Sequence, residues 1–364
     1  MDIKKIVVQN FRNIGLQELE FCPNINCISG GNGEGKTNLL DAIWYLSMAK
    51  SAFASSDRFN FRHGCDSFAL SGLYGLPSGP DTRISIQVDS SGKKLRRDDK
   101  PYSRLSDHIG LLPVVMVSPA DVSMVSESGD ERRKFSNAVL SQMSAEYLDA
   151  VQNYSRLLLQ RNKLLKDGVV DFALLEVIDS RMAAFATPIY EARKSLAEGL
   201  SPLVQQFYAR ISGGAESVAV EYRSDLSKGS LEALFLSHRD RDAMMRFTTA
   251  GVQRDDFVFS MDGYPIRKCG SQGQQKSFLV ALKFAQYSLM KERYGYAPIL
   301  LLDDLFDKLD MTRVQNLLTM VAGSDFGQIF LSDSNKVRLS GIVDAITAER
   351  TYYEAKGGAF TRNE

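Results

Sequence analysis

Apolar residues alternate with polar ones in short runs near both ends of the chain, and they follow a helical period in its middle. Leu16–Phe21 alternates apolar and polar positions and Ile25–Ser29 is a short, mostly apolar run, so both segments predict strands. From Leu39 to Met48, apolar residues recur at near-helical spacing. The N-terminal region therefore predicts a strand, a glycine-containing loop and a helix, in that order.

Similar short runs predict further strands, and two longer runs predict helices. The helical segments are Gln274–Arg293 and a segment from about Thr312 to Ala322, and Asp262-Gly263 predicts a hairpin turn that leads into Tyr264–Arg267. The other predicted strands are Ile6–Val8, Phe68–Leu76, Thr82–Asp89, Leu111–Val117, Ser217–Tyr222, Asp256–Met261, Ala297–Asp304 and Gln328–Ser332.

The region from about Ser126 to Phe207 has a different pattern. Glycine and proline are sparse there, and leucines recur three or four residues apart, which predicts three or four helices. Gly168 and Pro188 are expected to break or kink them.

Strand and helix patterns alternate on both sides of this helical region. Such alternation is typical of an α/β domain, whose two halves would fold together around an insertion. We therefore predict an α/β head formed by residues 1–121 and 208–364, with an inserted helical subdomain at 122–207. A chain of 364 residues is long enough to bury a sizeable core in such an arrangement.

The composition is that of a folded soluble protein, with 44% hydrophobic and 24% charged residues. The formal net charge is zero, which argues mildly against a strongly basic nucleic-acid binder but allows a local basic surface. The N-terminal residues lack the apolar core of a signal peptide, and no run approaches the roughly 20 apolar residues of a membrane helix. We expect a cytoplasmic protein without a membrane partner.

The first glycine-containing loop has the spacing of a phosphate-binding loop. Gly30–Thr37 fits G-x-x-x-x-G-K-[ST], follows the predicted strand Ile25–Ser29 and opens a predicted helix. Glycines let successive backbone N–H groups converge on phosphate oxygens, and the helix N-terminus favours an anion. Lys36 would bring a positive charge to the β- and γ-phosphates of ATP, and Thr37 would offer a hydroxyl to Mg²⁺.

Two acids follow an apolar run near the C-terminus. Pro298–Leu302 is the run, and it ends in Asp303 and Asp304. Beside a phosphate-binding loop, such acids suit a Mg²⁺-dependent phosphoryl site in which Asp303 binds the metal. Asp304 would orient or deprotonate the attacking water. Without the loop, the same acids would be ordinary exposed carboxylates at a strand end.

A second glycine-containing segment, Ser271–Lys276, lies at the start of a long predicted helix. A polar helix N-terminus of this kind suits an anion. Because one nucleotide rarely needs two separate glycine loops, the segment suggests a site that is completed by another copy of the chain. Simple helix capping is the alternative explanation.

The order of these three features resembles the ABC-type ATPases, and further segments narrow the resemblance to the RecF family of DNA-repair ATPases, related to the Smc and Rad50 heads. The resemblance covers almost the whole chain, and its most specific parts lie at 160–162 and 271–275. The matching segments are Asn10–Asn13, Gly30–Leu40, Val115–Asp121, Arg132–Phe135, Leu140–Gln142, Tyr147–Leu148, Tyr154, Gln160–Leu165, Ser271–Lys276 and Leu301–Asp310.

The resemblance implies an ATP-driven switch. ATP would bridge two protomers, the homodimer would clamp double-stranded DNA, including single-strand/double-strand junctions, and hydrolysis would release it. The implied enzyme is a weak, DNA-stimulated ATPase. It would act in replication, recombination, repair and the SOS response, and would assist recombinase loading with the RecO and RecR mediators.

The resemblance also implies roles for individual residues. Lys36 and Asp304 would be catalytic, Thr37 and Asp303 would bind Mg²⁺, and Asp310 would be the D-loop residue. The signature residues that would act across the dimer are Ser271, Gln272, Gly273 and Gln274. The nucleotide-binding residues would be Arg12, Asn13, Gly30, Gly31, Asn32, Gly33, Glu34, Gly35, Lys36, Thr37 and Asn38.

Several positions depart from the family pattern. Val252 and Gln253 stand where the family has Pro and His, and Asp307 and Lys308 stand where it has Ser and Glu. After the last core strand, Ser332–Ser334 replaces threonines, and we assign the γ-phosphate-sensing position to this segment. No Q-loop residue is assigned.

Basic clusters at Lys93–Arg97, Arg132–Lys134 and Arg239/Arg241 would suit contacts with DNA phosphates, and each would equally suit a solvated charged face. Two other functions compete with the RecF interpretation. One is the nucleotide-binding subunit of an ABC transporter, which the helical insertion argues against. The other is a DNA scaffold that binds ATP without hydrolysing it.

Overall fold

A computed structural model describes residues 1–127, 129–167, 172–214, 216–305, 310–321, 326–336, 341, 343–344, 347 and 349–363. Its internal contacts divide the chain into two compact units. The first unit comprises Met1–Val122, Arg210–Gly213 and Gln272–Glu364, and the second comprises Ser123–Ala209 and Gly214–Ser271.

Strands and helices alternate along the chain as an α/β fold requires. The strands are β1 (Asp2–Phe11), β2 (Ile14–Glu20), β3 (Ile25–Ser29), β4 (Phe68–Gly75), β5 (Thr82–Asp89), β6 (Gly92–Arg97), β7 (Lys100–Pro101), β8 (Val114–Val117), β9 (Val218–Arg223), β10 (Asp256–Met261), β11 (Tyr264–Pro265), β12 (Ile299–Leu302), β13 (Ile329–Asp333), β14 (Arg350–Lys356) and β15 (Ala359–Asn363). The helices are α1 (Lys36–Met48), α2 (Ser123–Ser126), α3 (Gly129–Met143), α4 (Ala145–Lys166), α5 (Phe172–Ser212), α6 (Leu231–Met245), α7 (Ile266–Cys269), α8 (Gln272–Tyr294) and α9 (Met311–Val321).

The first unit contains two six-stranded sheets. One is antiparallel, in the order β2-β1-β4-β5-β6-β7, and β5 alternates buried and less buried residues because only one of its faces packs on the core. The other has the order β15-β14-β3-β13-β12-β8 and is parallel except for β15. β3 and β12 are buried along their whole length, as their mostly apolar sequences require.

The second unit contains α3, α4, most of α5, α6 and the antiparallel sheet β11-β10-β9. α3 packs against both α4 and β10. Through this contact, residues 214–271 join the helices, whereas the sequence assigned them to the α/β head. The helical subdomain predicted at 122–207 is therefore part of a larger unit in the structure.

Most predicted elements are confirmed, including β3, β5, β10 and the hairpin turn at Asp262-Gly263. α5 continues through Pro188 and Pro202, so a break at Pro188 is wrong, and a kink at this residue stays a prediction. Ile189, which is 1% exposed, lies next to the first proline, and such packing offsets the backbone hydrogen bond that a proline removes. The other predicted break, Gly168, lies outside the described residues. The predicted strand Tyr264–Arg267 ends after two residues and continues as α7.

Among the residues that the structure describes, no helix combines the length and the apolar character that crossing a bilayer demands.

Candidate functional site

The glycine-rich loop joins β3 to α1 in the first unit. β3 lies between β13 and β14, so the loop follows the carboxyl end of a central parallel strand. Gly33 and Gly35 have φ angles of 82° and 109°, which residues with a side chain rarely adopt. At Gly30, a β-carbon would lie 2.5 Å from the carbonyl oxygen of Ala355. The path of the loop therefore requires these glycines.

Lys36 is the first residue of α1, and its side chain is buried in the loop. Its Nζ donates to the carbonyl oxygens of Gly30 at 2.8 Å and Gly31 at 3.0 Å. The ammonium thus lies beside the unpaired N–H groups of a helix N-terminus, where the helix dipole also favours a negative charge. Fixed N–H donors and a cation at one place suit phosphate oxygens.

Asp303 connects the loop to the two neighbouring central strands. The Thr37 hydroxyl donates to the Asp303 carboxylate, with Oγ1 2.8 Å from Oδ2 and 3.0 Å from Oδ1, and the Ser332 hydroxyl donates to Oδ1 at 2.7 Å. Burial raises the pKa of Asp303, while the hydrogen bonds from Ser332 and Thr37 oppose that shift. Ser332 belongs to the segment to which the sequence assigned γ-phosphate sensing, and the structure places it on Asp303.

Mg²⁺ binds oxygen ligands and is usually held by one or two protein groups together with substrate phosphates and water. The hydroxyl of Thr37 and the carboxylate of Asp303 are such groups, already in contact. The described residues contain no cluster of three His, Cys, Asp or Glu side chains that would form an all-protein metal cage. The donor set therefore fits a metal shared with a nucleotide.

Asp304 follows Asp303 and is half-buried, with a left-handed φ of 43°. Its N–H donates to the Ser332 hydroxyl at 3.0 Å, and its carbonyl oxygen accepts from Lys276 Nζ at 3.4 Å. Both backbone groups of Asp304 are thus held by neighbouring elements. This fixes the residue next to the loop in a conformation that costs a non-glycine residue energy.

Arg12 and Asn13 lie in the turn between β1 and β2. Asn13 Nδ2 donates to the Gly33 carbonyl at 3.3 Å, and Asn38 Nδ2 donates to Asn13 Oδ1 at 2.8 Å, so the turn supports the loop directly. Arg12 Nη1 donates to Asn38 Oδ1 at 3.0 Å, and its Nη2 lies 2.8 Å from the carboxylate of Asp41.

Asp41 is fully buried on α1, and its role was not predicted. Burial raises its pKa, and the Arg12 guanidinium and the Ser51 hydroxyl oppose the shift. Arg12 also donates to Ser51 and Asn60. The guanidinium of Arg12 therefore binds protein groups and supports Asn38 in this structure. An aspartate on the apolar side of a predicted helix was the available signal for Asp41.

The second glycine-containing segment begins α8. Ser271 and Gln272 are exposed, and Gly273 and Gln274 are half-buried. The next turn of this helix contacts α9, since Arg313 of α9 donates to the Ser277 hydroxyl at 3.0 Å.

Asp310 accepts a hydrogen bond from the Arg313 backbone N–H at 2.9 Å and forms an ion pair with its guanidinium at 3.3 Å. Arg313 thereby joins Asp310, the predicted D-loop residue, to α8. The departures Asp307 and Lys308 lie outside the described residues.

A family model described as "AAA domain" matches residues 5–167. The "DNA replication and repair protein RecF" of Parabacteroides distasonis is 40% identical over 358 residues, 98% of each chain, and that of Bacteroides fragilis is 40% identical over 366 residues, 100% of this chain and 99% of the relative. The chain belongs to the RecF family.

Solved structures of RecF agree with this assignment. "RecF-ATPrS in RecFOR pathway" has a TM-score of 0.88 at 27% identity, covering 100% of this chain and 98% of that one. "RecF-ATP in RecFOR pathway" gives 0.89 at 27%, covering 100% and 97%. An Smc head domain from Pyrococcus furiosus gives 0.58 at 15% over 99% and 95%, which shows a shared fold. As a RecF-family member, the chain is an ATP-binding, DNA-binding ATPase of DNA replication and repair with an ABC-type head.

The RecF-family departure at Val252 and Gln253 has a local structural role in the second unit. Tyr154 donates to Gln253 Oε1 at 2.5 Å, Gln253 Nε2 donates to the Ala250 carbonyl at 2.7 Å, and Arg193 donates to the Val252 carbonyl at 2.6 Å. Tyr154, Arg193, Val252 and Gln253 line a cavity of about 290 Å³. The substituted residues are thus integrated into the packing.

Two of the basic clusters lie in the second unit. Arg132 forms a two-pronged ion pair with Asp256, with contacts of 2.7 and 3.0 Å, and Arg133 and Lys134 pair with Asp130 and Glu131. Arg239 pairs with Glu176 and stacks on a phenylalanine ring. Arg132, Arg133 and Arg239 therefore have structural partners, whereas the side chains of Lys134 and Arg241 are exposed.

Lys93–Arg97 forms β6, and Lys94 and Arg96 are exposed on it. The strand register places Lys94 opposite Gln87 and Arg96 opposite Ser85 of β5, so Arg83 of β5 lies on the same face. Lys93 points differently, because its Nζ pairs with Asp57 at 3.1 Å. The exposed basic face therefore consists of Arg83, Lys94 and Arg96, of which Lys94 also pairs with Asp89 at 3.7 Å.

Proposed function

We propose that the glycine-rich loop Gly30–Thr37 with Asn38 binds ATP, that Ser271–Gln274 of a second copy completes the site, and that ATP thereby closes a homodimer around double-stranded DNA. Hydrolysis at the site reopens the dimer. The protein would therefore hold DNA while ATP is bound and release it after hydrolysis.

One observation carries the proposal: Asp303 and Asp304 stand beside the loop in a fixed arrangement with Thr37 and Ser332. Thr37 and Asp303 would hold Mg²⁺, which neutralises the charge on the β- and γ-phosphates. Lys36 leaves the carbonyl oxygens of Gly30 and Gly31 for the phosphates. Asp304, whose backbone is held at both ends, positions the attacking water and accepts its proton.

The exposed basic face of Arg83, Lys94 and Arg96 supports the DNA-binding part. These cations would contact phosphates and carry no sequence information, which suits a protein that binds duplexes of any sequence, including junctions with single strands. We further propose that DNA stimulates a slow ATPase, and that the chain acts with RecO and RecR partners to load recombinase. The relatives' place in a RecFOR pathway supports this last step.

Replacing Asp304 by Asn tests the proposal. The variant should bind ATP like the wild type, because the phosphate site is kept. It should hydrolyse ATP at least about 100-fold more slowly, because the general base is lost, and it should remain on DNA after ATP is added. Phosphate release and the lifetime of a fluorescent duplex complex are the measurements. Asp66→Asn, at an exposed aspartate, is the matched control.

Wild-type hydrolysis by Asp304→Asn would refute the assigned base. Slow hydrolysis with an unchanged DNA lifetime would favour a scaffold that uses ATP only as a structural ligand. An ATPase that DNA does not stimulate would contradict the proposed stimulation of hydrolysis by DNA.

A further inference from the structure

The turn that joins β14 to β15 lies against the glycine-rich loop within the first unit. Strand pairing of Lys356 with Ala359 leaves Gly357 and Gly358 as a two-residue turn, and their φ angles of 58° and 83° are those of the tight hairpin turns that require glycine. The Gly358 N–H donates to the Glu34 carbonyl at 2.9 Å, and the Gly357 N–H donates to the Glu34 carboxylate. Both donors of the turn therefore bind one residue of the loop.

Asn13 fills the space between the loop and this turn. Its side chain donates to the Gly33 carbonyl at 3.3 Å, and a β-carbon at Gly35 would lie 2.9 Å from Asn13 Oδ1. On the other side, a β-carbon at Gly358 would overlap the Asn13 carbonyl oxygen. At Gly35 and Gly358, the packing against Asn13 thus leaves no room for one more carbon atom.

A carboxylate in a triphosphate-binding loop is electrostatically unfavourable, because like charges a few ångströms apart repel each other. The loop pattern does not require an acid at position 34. In this chain the Glu34 carboxylate is bound to the hairpin, and a charge-assisted hydrogen bond of this kind is stronger than a neutral one. Glu34 therefore has a structural partner that fixes the loop backbone.

We propose that Glu34 and the Gly357-Gly358 turn form a latch that holds the glycine-rich loop in its phosphate-binding conformation, so that the C-terminal hairpin contributes to nucleotide affinity. Glu34 is a positioning residue in this role, since it acts through the loop N–H groups and not through contact with ATP. A loop that is already ordered loses less conformational entropy on binding. The latch rests on the proposed ATP site at Gly30–Thr37.

ATP titrations of Glu34→Ala and Glu34→Gln, followed by fluorescence, test the latch. Trp44 is the only tryptophan and lies on α1, the helix that the loop opens, so its fluorescence serves as the readout of binding. Glu34→Ala should weaken ATP binding about tenfold, the scale of one hydrogen bond to a charged group. Glu34→Gln should bind like the wild type or more tightly, because its carbonyl oxygen still accepts from Gly357 and the repulsive charge is gone.

The latch would be overturned if Glu34→Ala and Glu34→Gln bound ATP with equal affinity, whatever that affinity is relative to wild type. Equal affinities would show that ATP binding depends only on the charge of Glu34, or does not depend on this side chain. Thermal melting of each variant confirms folding. Lys36→Ala separates the failures. If it keeps wild-type ATP affinity, the proposed ATP site is wrong, whereas its loss of binding together with equal Glu34 variants refutes the latch alone.

Gly358→Ala tests the latch from the hairpin side. Its β-carbon would force the turn away from Asn13, so ATP affinity should fall at least as much as in Glu34→Ala. Gly263→Ala is the matched control, a turn glycine with a similar φ of 81° and no atom within 4 Å of the added carbon. Wild-type ATP affinity in a folded Gly358→Ala protein would overturn the proposal.

Discussion

At the scale of single residues, Asp303 determines how the site can be built. Its carboxylate is buried and accepts hydrogen bonds from the hydroxyls of Thr37 and Ser332. This placement suits Mg²⁺, but a buried negative charge is unfavourable in the absence of a cation. Burial raises its pKa, which means that ionisation of this carboxyl is less favourable in the nucleotide-free fold than in the unfolded chain. The site thus retains some instability that a bound metal would relieve.

Asp303→Asn should stabilise the nucleotide-free protein while abolishing Mg²⁺-dependent ATP hydrolysis. A carboxyl whose pKa is raised by folding stabilises the fold most at acid pH, and its contribution falls as the pH rises through the unfolded and then the folded pKa. At pH 7.5 the variant should therefore melt about 2–4 °C higher than the wild type, on the order of 1 kcal/mol. The gain should shrink as the pH falls.

Differential scanning calorimetry at pH 7.5 and at pH 5 measures the gain in melting temperature and its decrease at the lower pH. An equal gain at the two pH values, or a lower melting temperature at pH 7.5, would contradict the account of Asp303.

At the scale of elements, Arg161 holds three helices of the second unit together. It is fully buried on α4 and binds Asp179 of α5 at 2.6 Å and Asp242 of α6 at 2.6 Å. Its guanidinium also lies 4.1 Å from the centre of the Phe235 ring. Next to it, Asn162 accepts a hydrogen bond from the Thr248 N–H at 2.8 Å. Arg161 and Asn162, within the segment 160–162, therefore have a structural role in the second unit.

Arg161→Ala should destabilise the protein by about 3–5 kcal/mol, because it leaves two buried carboxylates without their cation. The melting temperature should fall by roughly 10 °C. Arg156→Ala, at an exposed arginine on the same helix that donates to Asn153 on the surface, should change it by less than about 2 °C. Similar melting temperatures for the two variants would contradict the role of Arg161.

The sequence predicted elements best where a local rule decides the structure. The loop pattern located β3 and α1, and the apolar run before Asp303 located β12, because both signals are complete within ten residues. β6 was missed as a strand because charged residues are atypical of strands, and its pairing with β5 supplies what its composition does not. α5 passes through two prolines because packing along a long helix outweighs a local break.

The parts of the site that escaped prediction depend on residues far apart in the chain. Asp41 joins Arg12 through a turn that the sequence does not specify, and Ser332 reaches Asp303 only because β12 and β13 are neighbours in the sheet. The hairpin that contacts Glu34 lies more than 300 residues after it. Such contacts follow from topology, which no local pattern contains.

At the scale of the whole molecule, one copy of the chain carries the loop, the acids and the signature segment Ser271–Gln274. The last of these begins α8 with exposed residues. An exposed segment of this kind is available to a second copy, and a site shared between copies links ATP binding to assembly. The proposed clamping of DNA requires this link between ATP binding and dimerisation.

Light scattering after gel filtration, with and without ATP and Mg²⁺, tests the link most directly. The wild type should have the mass of one chain without nucleotide and twice that mass with ATP. Ser271→Arg should still bind ATP, as reported by Trp44 fluorescence, but should keep the mass of one chain, because the arginine obstructs the second half of the site. A dimer of Ser271→Arg in ATP, or a wild type that stays monomeric when saturated with ATP, would contradict the shared site.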